Sequence, residues 1–346
     1  MMLYYETGSF SIFNGNNTLV MYEFKDNFHN KLTPLIFDKS THERVNSILK
    51  GFRHTPKHID TNHLMNSNES AYDSFSKASP LNNLIYSKSK AISSNRDAIK
   101  ELFTNEEKIR LIEIGNSSSL KVKSLIGILQ ASNIQFEILP ISNSKTYLEY
   151  YLTMLWQQFP SINIFPLAGN YIDILTDLAS DNTSKLVVLS NPTAKQNREE
   201  TAFQVEQISK RLSAGDWIQI DFELKSDPRH LSNERTSCAC KDALINELNE
   251  ILLGNFDANC FIYYSNYCPQ TGKLQTCLVS TKPQKVYLAI INETISFKMW
   301  ECISIDLIQK YDAEEITNFA LNAGFIPRLT LYDYNRQNCC AFWQKV

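Results

Sequence analysis

The stretch Arg110-Leu-Ile-Glu-Ile-Gly-Asn-Ser-Ser-Ser-Leu-Lys-Val-Lys-Ser-Leu-Ile-Gly-Ile-Leu129 constrains this chain more than any other. A short apolar strand ends at Glu113 and Gly115, a small polar turn follows, and an amphipathic helix begins near Leu120. In a parallel α/β sheet that order leaves backbone N–H groups at a helix N-terminus facing a crevice, where a nucleotide-like ligand can sit. The turn is glycine-poor. Only Gly115 is kept where a ligand-cradling loop usually has two or three, and Ser117 holds the second place. A nucleotide-type fold with a weakened nucleotide site is the expectation.

The same strand–turn–helix unit repeats. Strand Arg110–Ile114 precedes helix Lys121–Ala131, and strand Phe136–Ile141 precedes helix Lys145–Phe159. In the second helix Leu148, Tyr151, Leu152, Leu155, Trp156 and Phe159 recur at helical spacing as a buried stripe. Strand Asn163–Leu167 leads to helix Ile172–Leu178, strand Lys185–Ser190 to helix Glu199–Leu212, and Gly215-Asp216 turns into strand Trp217–Phe222. Alternation of this length means βαβ units and a largely parallel sheet with right-handed crossovers.

Both ends of the chain differ. Residues 1 to about 70 are polar and irregular, with short strands expected at Thr18–Phe24 and Leu35–Phe37; 66–94 reads as loop with short helices, and Asn95–Phe103 as a helix. After Asp227-Pro228 comes helix Lys241–Leu253, then strands near Cys260–Tyr267, Leu274–Ser280, Lys285–Ile290 and Glu293–Trp300, with Gln270-Thr-Gly-Lys273 as a hairpin turn. That is an antiparallel block inserted into the α/β run. Helix Ala313–Ala323 then stops at Gly324, and strands Arg328–Tyr332 and Cys340–Gln344 form a terminal hairpin.

Composition excludes several function classes. A net charge of −3 provides no basic excess for a nucleic-acid footprint. No apolar run reaches the roughly 18 residues of a membrane span. The N-terminus has no basic region followed by an apolar one, so no signal peptide is read, and the eight cysteines are expected to be reduced thiols in a cytoplasm.

No metal site is expected. His54 and His58 could share a helical face, near Asp60 and His63, but Pro56 interrupts that span and no cysteine joins it. Cys238, Cys240, Cys260, Cys268 and Cys277 match no paired-ligand spacing. Alternation should turn one of Cys339 and Cys340 inward and the other outward. Tyr263, Tyr264 and Tyr267 suit either a pocket for a planar ligand or ordinary sheet packing.

Five motifs, in order, carry a family resemblance. They are Thr55-Pro-Lys57, Glu113-Ile-Gly-Asn-Ser-Ser-Ser-Leu-Lys121, Phe165-Pro-Leu-Ala-Gly-Asn-Tyr171, Asp221 through Lys225 with Asp227 and Pro228, and Lys310-Tyr311 followed by Ala323-Gly-Phe325. Nearly end to end, the chain resembles the histidine-specific N-methyltransferases of ergothioneine biosynthesis, which use S-adenosylmethionine (SAM). The resemblance implies a Rossmann-like class I methyltransferase sheet, mostly parallel with one antiparallel strand, plus a second α+β domain. The domains implied are 70–228 with 305–346 for the methyltransferase part, and 1–69 with 229–304 for the substrate part. A ligand crevice is expected between them.

The resemblance also implies site residues. Gly115, Ser117, Lys121, Ser142, Asn170 and Tyr171 would hold SAM, with Lys121 toward the ligand carboxylate. Ser142 stands where the family has an acid for the ribose hydroxyls, and Asn170 stands for the adenine-binding Asp. Pro192, in the turn after the fourth strand, removes a donor and fixes φ where the family has glycine. Each charge-assisted hydrogen bond lost is worth roughly 1.5–3 kcal/mol, about ten- to hundredfold in affinity.

The substrate motifs have changed further. Met65-Asn-Ser-Asn-Glu-Ser70, Ile92-Ser-Ser-Asn-Arg96 and Cys240-Lys-Asp-Ala243 stand at the family's amino-acid pocket motifs, and Asp306-Leu-Ile308 at its imidazole-reading Glu-x-Ser. Ile308 cannot hydrogen-bond, so the resemblance does not carry histidine over as substrate. Asp306, with Lys241 and Asp242, is the expected substrate contact. The expected activity is SAM-dependent N-methylation of a small amine or amino-acid-like metabolite. The alternatives are a silent methyltransferase-fold protein that binds a metabolite or protein partner, and a repurposed enzyme that does not use SAM. No nucleic acid or membrane partner is expected.

Overall fold

The computed structural model describes residues 9–13, 19–23, 37–59, 89–115, 120–142, 145–189, 197–229 and 238–346. Its elements begin with β1 (Ser9–Phe13), β2 (Leu19–Glu23), α1 (Phe37–Arg53), α2 (Arg96–Leu102), β3 (Lys108–Ile114), α3 (Leu120–Ala131), β4 (Gln135–Ser142) and α4 (Lys145–Gln158). Next come β5 (Leu167–Ala168), α5 (Tyr171–Leu178), β6 (Ser184–Leu189), α6 (Arg198–Ser209), β7 (Trp217–Leu224), α7 (Cys238–Leu252), β8 (Phe261–Cys268) and β9 (Lys273–Ser280). The chain closes with β10 (Gln284–Leu288), β11 (Glu293–Phe297), β12 (Cys302–Tyr311), α8 (Ala313–Asn322), β13 (Phe325–Tyr332) and β14 (Asn338–Lys345).

Two compact units divide it: 1–28 with 85–224 and 311–346, and 29–84 with 225–310. The β1–β2 ribbon thus belongs with the larger unit, whereas the sequence reading grouped residues 1–69 with the insertion.

In the larger unit the strands run β5-β4-β3-β6-β7-β14-β13, parallel from β5 to β7 and antiparallel at β7–β14 and β14–β13. With β3 to β7 counted one to five, the order is three-two-one-four-five-seven-six, and the strand counted seven, β14, is antiparallel to both its neighbours. This is the methyltransferase sheet that was expected. One face carries a core built from α2, α3 and α4, with Ile99, Leu125, Ile126, Leu152 and Leu155 fully buried. The opposite core joins α5, α6 and α8 through Leu175, Val205, Ile208, Ile316 and Ala320. Both faces being covered explains why the strands read as continuous apolar runs. It also corrects the reading of the cysteine pair: Cys339 and Cys340 are both buried, one in each core.

Caps and breakers set the element ends. Asn197 and Asp312 each form a reciprocal capping box, with Glu200 and Glu315. Gly324, at φ +75°, stops α8. The strand expected over Asn163–Leu167 is broken: Phe165 N–H donates to the Ile138 carbonyl at 2.8 Å, Pro166 has no N–H, and regular pairing resumes only at Leu167–Ala168.

The smaller unit has an antiparallel sheet β12-β9-β8 and a β10–β11 hairpin. Against them α1 and α7 pack Val45, Ile48, Leu49 and Phe52 with Leu244, Ile245 and Leu248. Ile59 N–H donates to the Ser304 carbonyl at 2.8 Å, and Ser304 N–H to the Lys57 carbonyl at 2.9 Å, so the Thr55-Pro-Lys57 motif leads into a bridge with β12.

Phe37 opens helix α1 rather than closing a strand, and β12 is a strand that the sequence pattern does not mark. His54 and His58 lie beyond the end of α1, with ring centroids 5.3 Å apart, not on one helical face. Asp60, His63 and the loop expected over 66–94, as far as residue 88, lie outside the described residues. Among the described residues no helix is long and apolar enough to cross a membrane, and no three His, Cys, Asp or Glu are grouped to hold a metal ion.

Candidate functional site

The carboxyl ends of three neighbouring strands form the candidate site. Ile114 pairs with Ile141, and Ile141 with Leu167, so Gly115, Ser142 and Ala168 stand in the next row along β3, β4 and β5. Gly115 has φ +103°, a backbone that L side chains rarely adopt, which explains why this glycine survives in a polar turn. Ser142 is buried, and its carbonyl accepts from Gly169 N–H at 3.1 Å. Gly169, at φ +154°, then turns the chain into α5.

Asn170 is the N-cap of α5: its Oδ1 accepts the Ile172 N–H at 2.8 Å. The cap uses one of the two acceptor lone pairs of that carbonyl and leaves the amide N–H₂ free of the helix. Tyr171, the next residue, is half-buried against the core beneath α5. The structure therefore brings Gly115, Ser142, Asn170 and Tyr171 to one edge of the sheet. Ser117 lies outside the described residues, as do Pro192 and the turn around it.

Lys121, in the first turn of α3, is turned inward. Its Nζ donates to the Leu189 carbonyl at 2.9 Å and to Asp221 Oδ2 at 3.0 Å. Asp221 Oδ1 accepts from Gln219 Nε2 at 2.7 Å. One lysine thus joins α3 to the end of β6 and to the middle of β7, with two of its three donors in use. Two residues on, burial pushes the Lys123 ammonium pKa down.

Sequence reasoning missed a second buried pair. Tyr151, on α4, donates its hydroxyl to Glu113 Oε2, and both residues are fully buried. The signal was present: Glu113 interrupts an apolar strand just before Gly115, and Gln219, Asp221 and Glu223 alternate with Ile218, Ile220 and Phe222 in a strand covered on both faces.

The expected substrate residues lie in the smaller unit. Lys241 and Asp242 lie within the first five residues of α7 and pair with each other, Nζ to Oδ1 at 3.4 Å. Asp306 sits on β12 opposite Thr276, just past a β-bulge.

The carboxyl ends of parallel strands are where open α/β sheets bind their ligands, and here they carry a positive-φ glycine, a helix cap and an adjacent tyrosine. No curated protein matches the sequence. Among solved structures, a SAM-dependent methyltransferase from Clostridium acetobutylicum is similar at 10% identity, covering 72% of this chain and 90% of that one with a TM-score of 0.39. The magnesium protoporphyrin IX methyltransferase of Synechocystis, solved with S-adenosylhomocysteine (SAH), is similar at 9% identity, covering 81% and 96% with a TM-score of 0.39. The model of the SAM-dependent, histidine-specific methyltransferase family matches residues 45–345. That match takes in parts of both units and leaves residues 1–44 outside it, and the protein belongs to this family.

Proposed function

We propose that the chain binds SAM at the carboxyl ends of β3, β4 and β5 and methylates the nitrogen of a small amine or amino-acid-like metabolite other than histidine. The observation that carries the reading is the convergence of Gly115, Ser142 and the Asn170 cap on adjacent strand ends. SAM supplies an electrophilic methyl group on a sulfonium. In this reading Gly115 admits the ligand close to the backbone, Ser142 meets the ribose, and Asn170 and Tyr171 meet the adenine. Lys121 directs its third N–H to the ligand carboxylate. Asp306, with Lys241 and Asp242, orients the substrate. The work of such a site is positioning, since a neutral amine held in line needs little covalent help.

Incubation with SAM and a panel of amino acids and simple amines, read by mass spectrometry, tests this. An N-methylated product from a non-histidine amine is expected. A second reading, a silent relative that binds without turnover, is favoured by the inward engagement of Lys121. Saturable SAH binding with no product from any amine would select it.

A further inference from the structure

Two buried polar pairs flank the connection from β3 to α3, one at each end. Tyr151 from α4 holds Glu113, two residues before Gly115. Asp221 from β7 holds Lys121, in the first turn of α3. The sheet register relates them: Glu113 stands opposite Val188, Val188 opposite Gln219, and Gln219 donates to Asp221. Glu113, Gln219 and Asp221 therefore share one face of the sheet, within an otherwise apolar core of Leu111, Leu186, Val188 and Trp217.

Packing alone does not call for these groups. Apolar side chains of similar volume would fill the same space without the desolvation cost of buried charge. What the pairs share is location, because each fixes one end of a connection that keeps a single glycine. A glycine-rich turn follows its ligand through its own backbone freedom; with one glycine, the ends have to be located by something else.

We propose that Tyr151 and Asp221 are positioning residues for the adenosyl ligand. Tyr151 acts through Glu113 on the carboxyl end of β3 and Gly115, and Asp221 acts through Lys121 on the first turn of α3. The inference rests on the reading that SAM binds at these strand ends. Neither residue needs to touch the ligand; one holds the end of β3 and the other the first turn of α3.

The test uses the full-length chain with Tyr151→Phe and Asp221→Asn, and Ile99→Val as a comparator that thins the same core away from the turn. SAH affinity is read by calorimetry, stability by scanning calorimetry, and backbone hydrogen exchange by mass spectrometry over 108–125. Tyr151→Phe removes only a hydroxyl, so it keeps the proposal testable should Asp221→Asn fail to fold. The expected result is at least tenfold weaker SAH binding in both variants and faster exchange confined to 108–125, with Ile99→Val losing stability but not affinity. Wild-type affinity in Tyr151→Phe would overturn the inference while leaving the site reading intact. No SAH binding by the unaltered chain at millimolar ligand would overturn the site reading itself, and the inference with it.

Discussion

Cys339 and Cys340 are adjacent on β14 and lie in different cores. Cys339 is 1% exposed, on the side of α5, α6 and α8, and Cys340 is 0% exposed, on the side of α2, α3 and α4. Cys302, by contrast, is exposed on β12. Under native conditions a thiol reagent should therefore modify Cys302 rapidly, and Cys339 and Cys340 only at the rate of global opening. Peptide mapping after timed labelling checks this; early labelling at either β14 cysteine would contradict a doubly covered strand.

The Lys121–Asp221 pair is 7% and 4% exposed, so breaking it strands a charge in the core. Asp221→Leu should cost about 3–5 kcal/mol of stability. Adding Lys121→Met to it should recover most of that loss, because two apolar side chains carry no desolvation cost. Urea denaturation of the single and double variants measures both effects.

At the opposite ends of the strands, Arg110 is 2% exposed and bonds Glu137 at 2.5 Å and Asp181 at 2.5 Å. Burial alone would raise the Asp181 pKa, but the Thr183 N–H at 2.7 Å and the Arg110 guanidinium outweigh it and hold the carboxyl well below its usual range. A carboxyl depressed in the folded state contributes its stability above the unfolded value, near 4, and loses it as pH falls toward the folded value. Asp181→Asn should therefore destabilise the protein at pH 7 and make its stability less sensitive to acid below about pH 4. Denaturation midpoints at pH 7 and pH 3 give the comparison.

Ser142 is buried, and in the proposed reading it takes the place of an acid that would hold ribose hydroxyls. Ser142→Asp should tighten SAH binding by about tenfold, the worth of roughly one charge-assisted hydrogen bond, while lowering the stability of the ligand-free protein. Calorimetry with a parallel melting curve reads both. Unchanged or weaker affinity would mean that the ribose lies elsewhere.

Much of the larger unit was legible because its strands and helices differ in period and length. β3, β4, β6, β7 and the helices between β3 and β7 fall within a few residues of the positions read from sequence, and only β5 departs, broken at Pro166. β12 was lost for a physical reason: the bulge between Ser304 and Asp306 shifts its phase, so buried Ile303, Ile305 and Ile308 do not alternate regularly. α1 carried a clear stripe at Val45, Ile48, Leu49 and Phe52, hidden behind a polar first half. The cysteine pair misled because alternation predicts burial only when one face of the sheet is open. At the site, Gly115 was readable from residue type alone. The partners Tyr151 and Asp221 were not, since their contacts join positions 38 and 100 residues apart.

In the proposed reading the Gly115, Ser142 and Asn170 edge accepts an adenosyl ligand. Titrating SAH into the purified chain, with Gly115→Val alongside, tests it most directly. Saturable binding by the unaltered chain is expected, abolished in Gly115→Val, because L side chains rarely adopt a +103° backbone. No heat at millimolar SAH, or equal binding by both proteins, would contradict it.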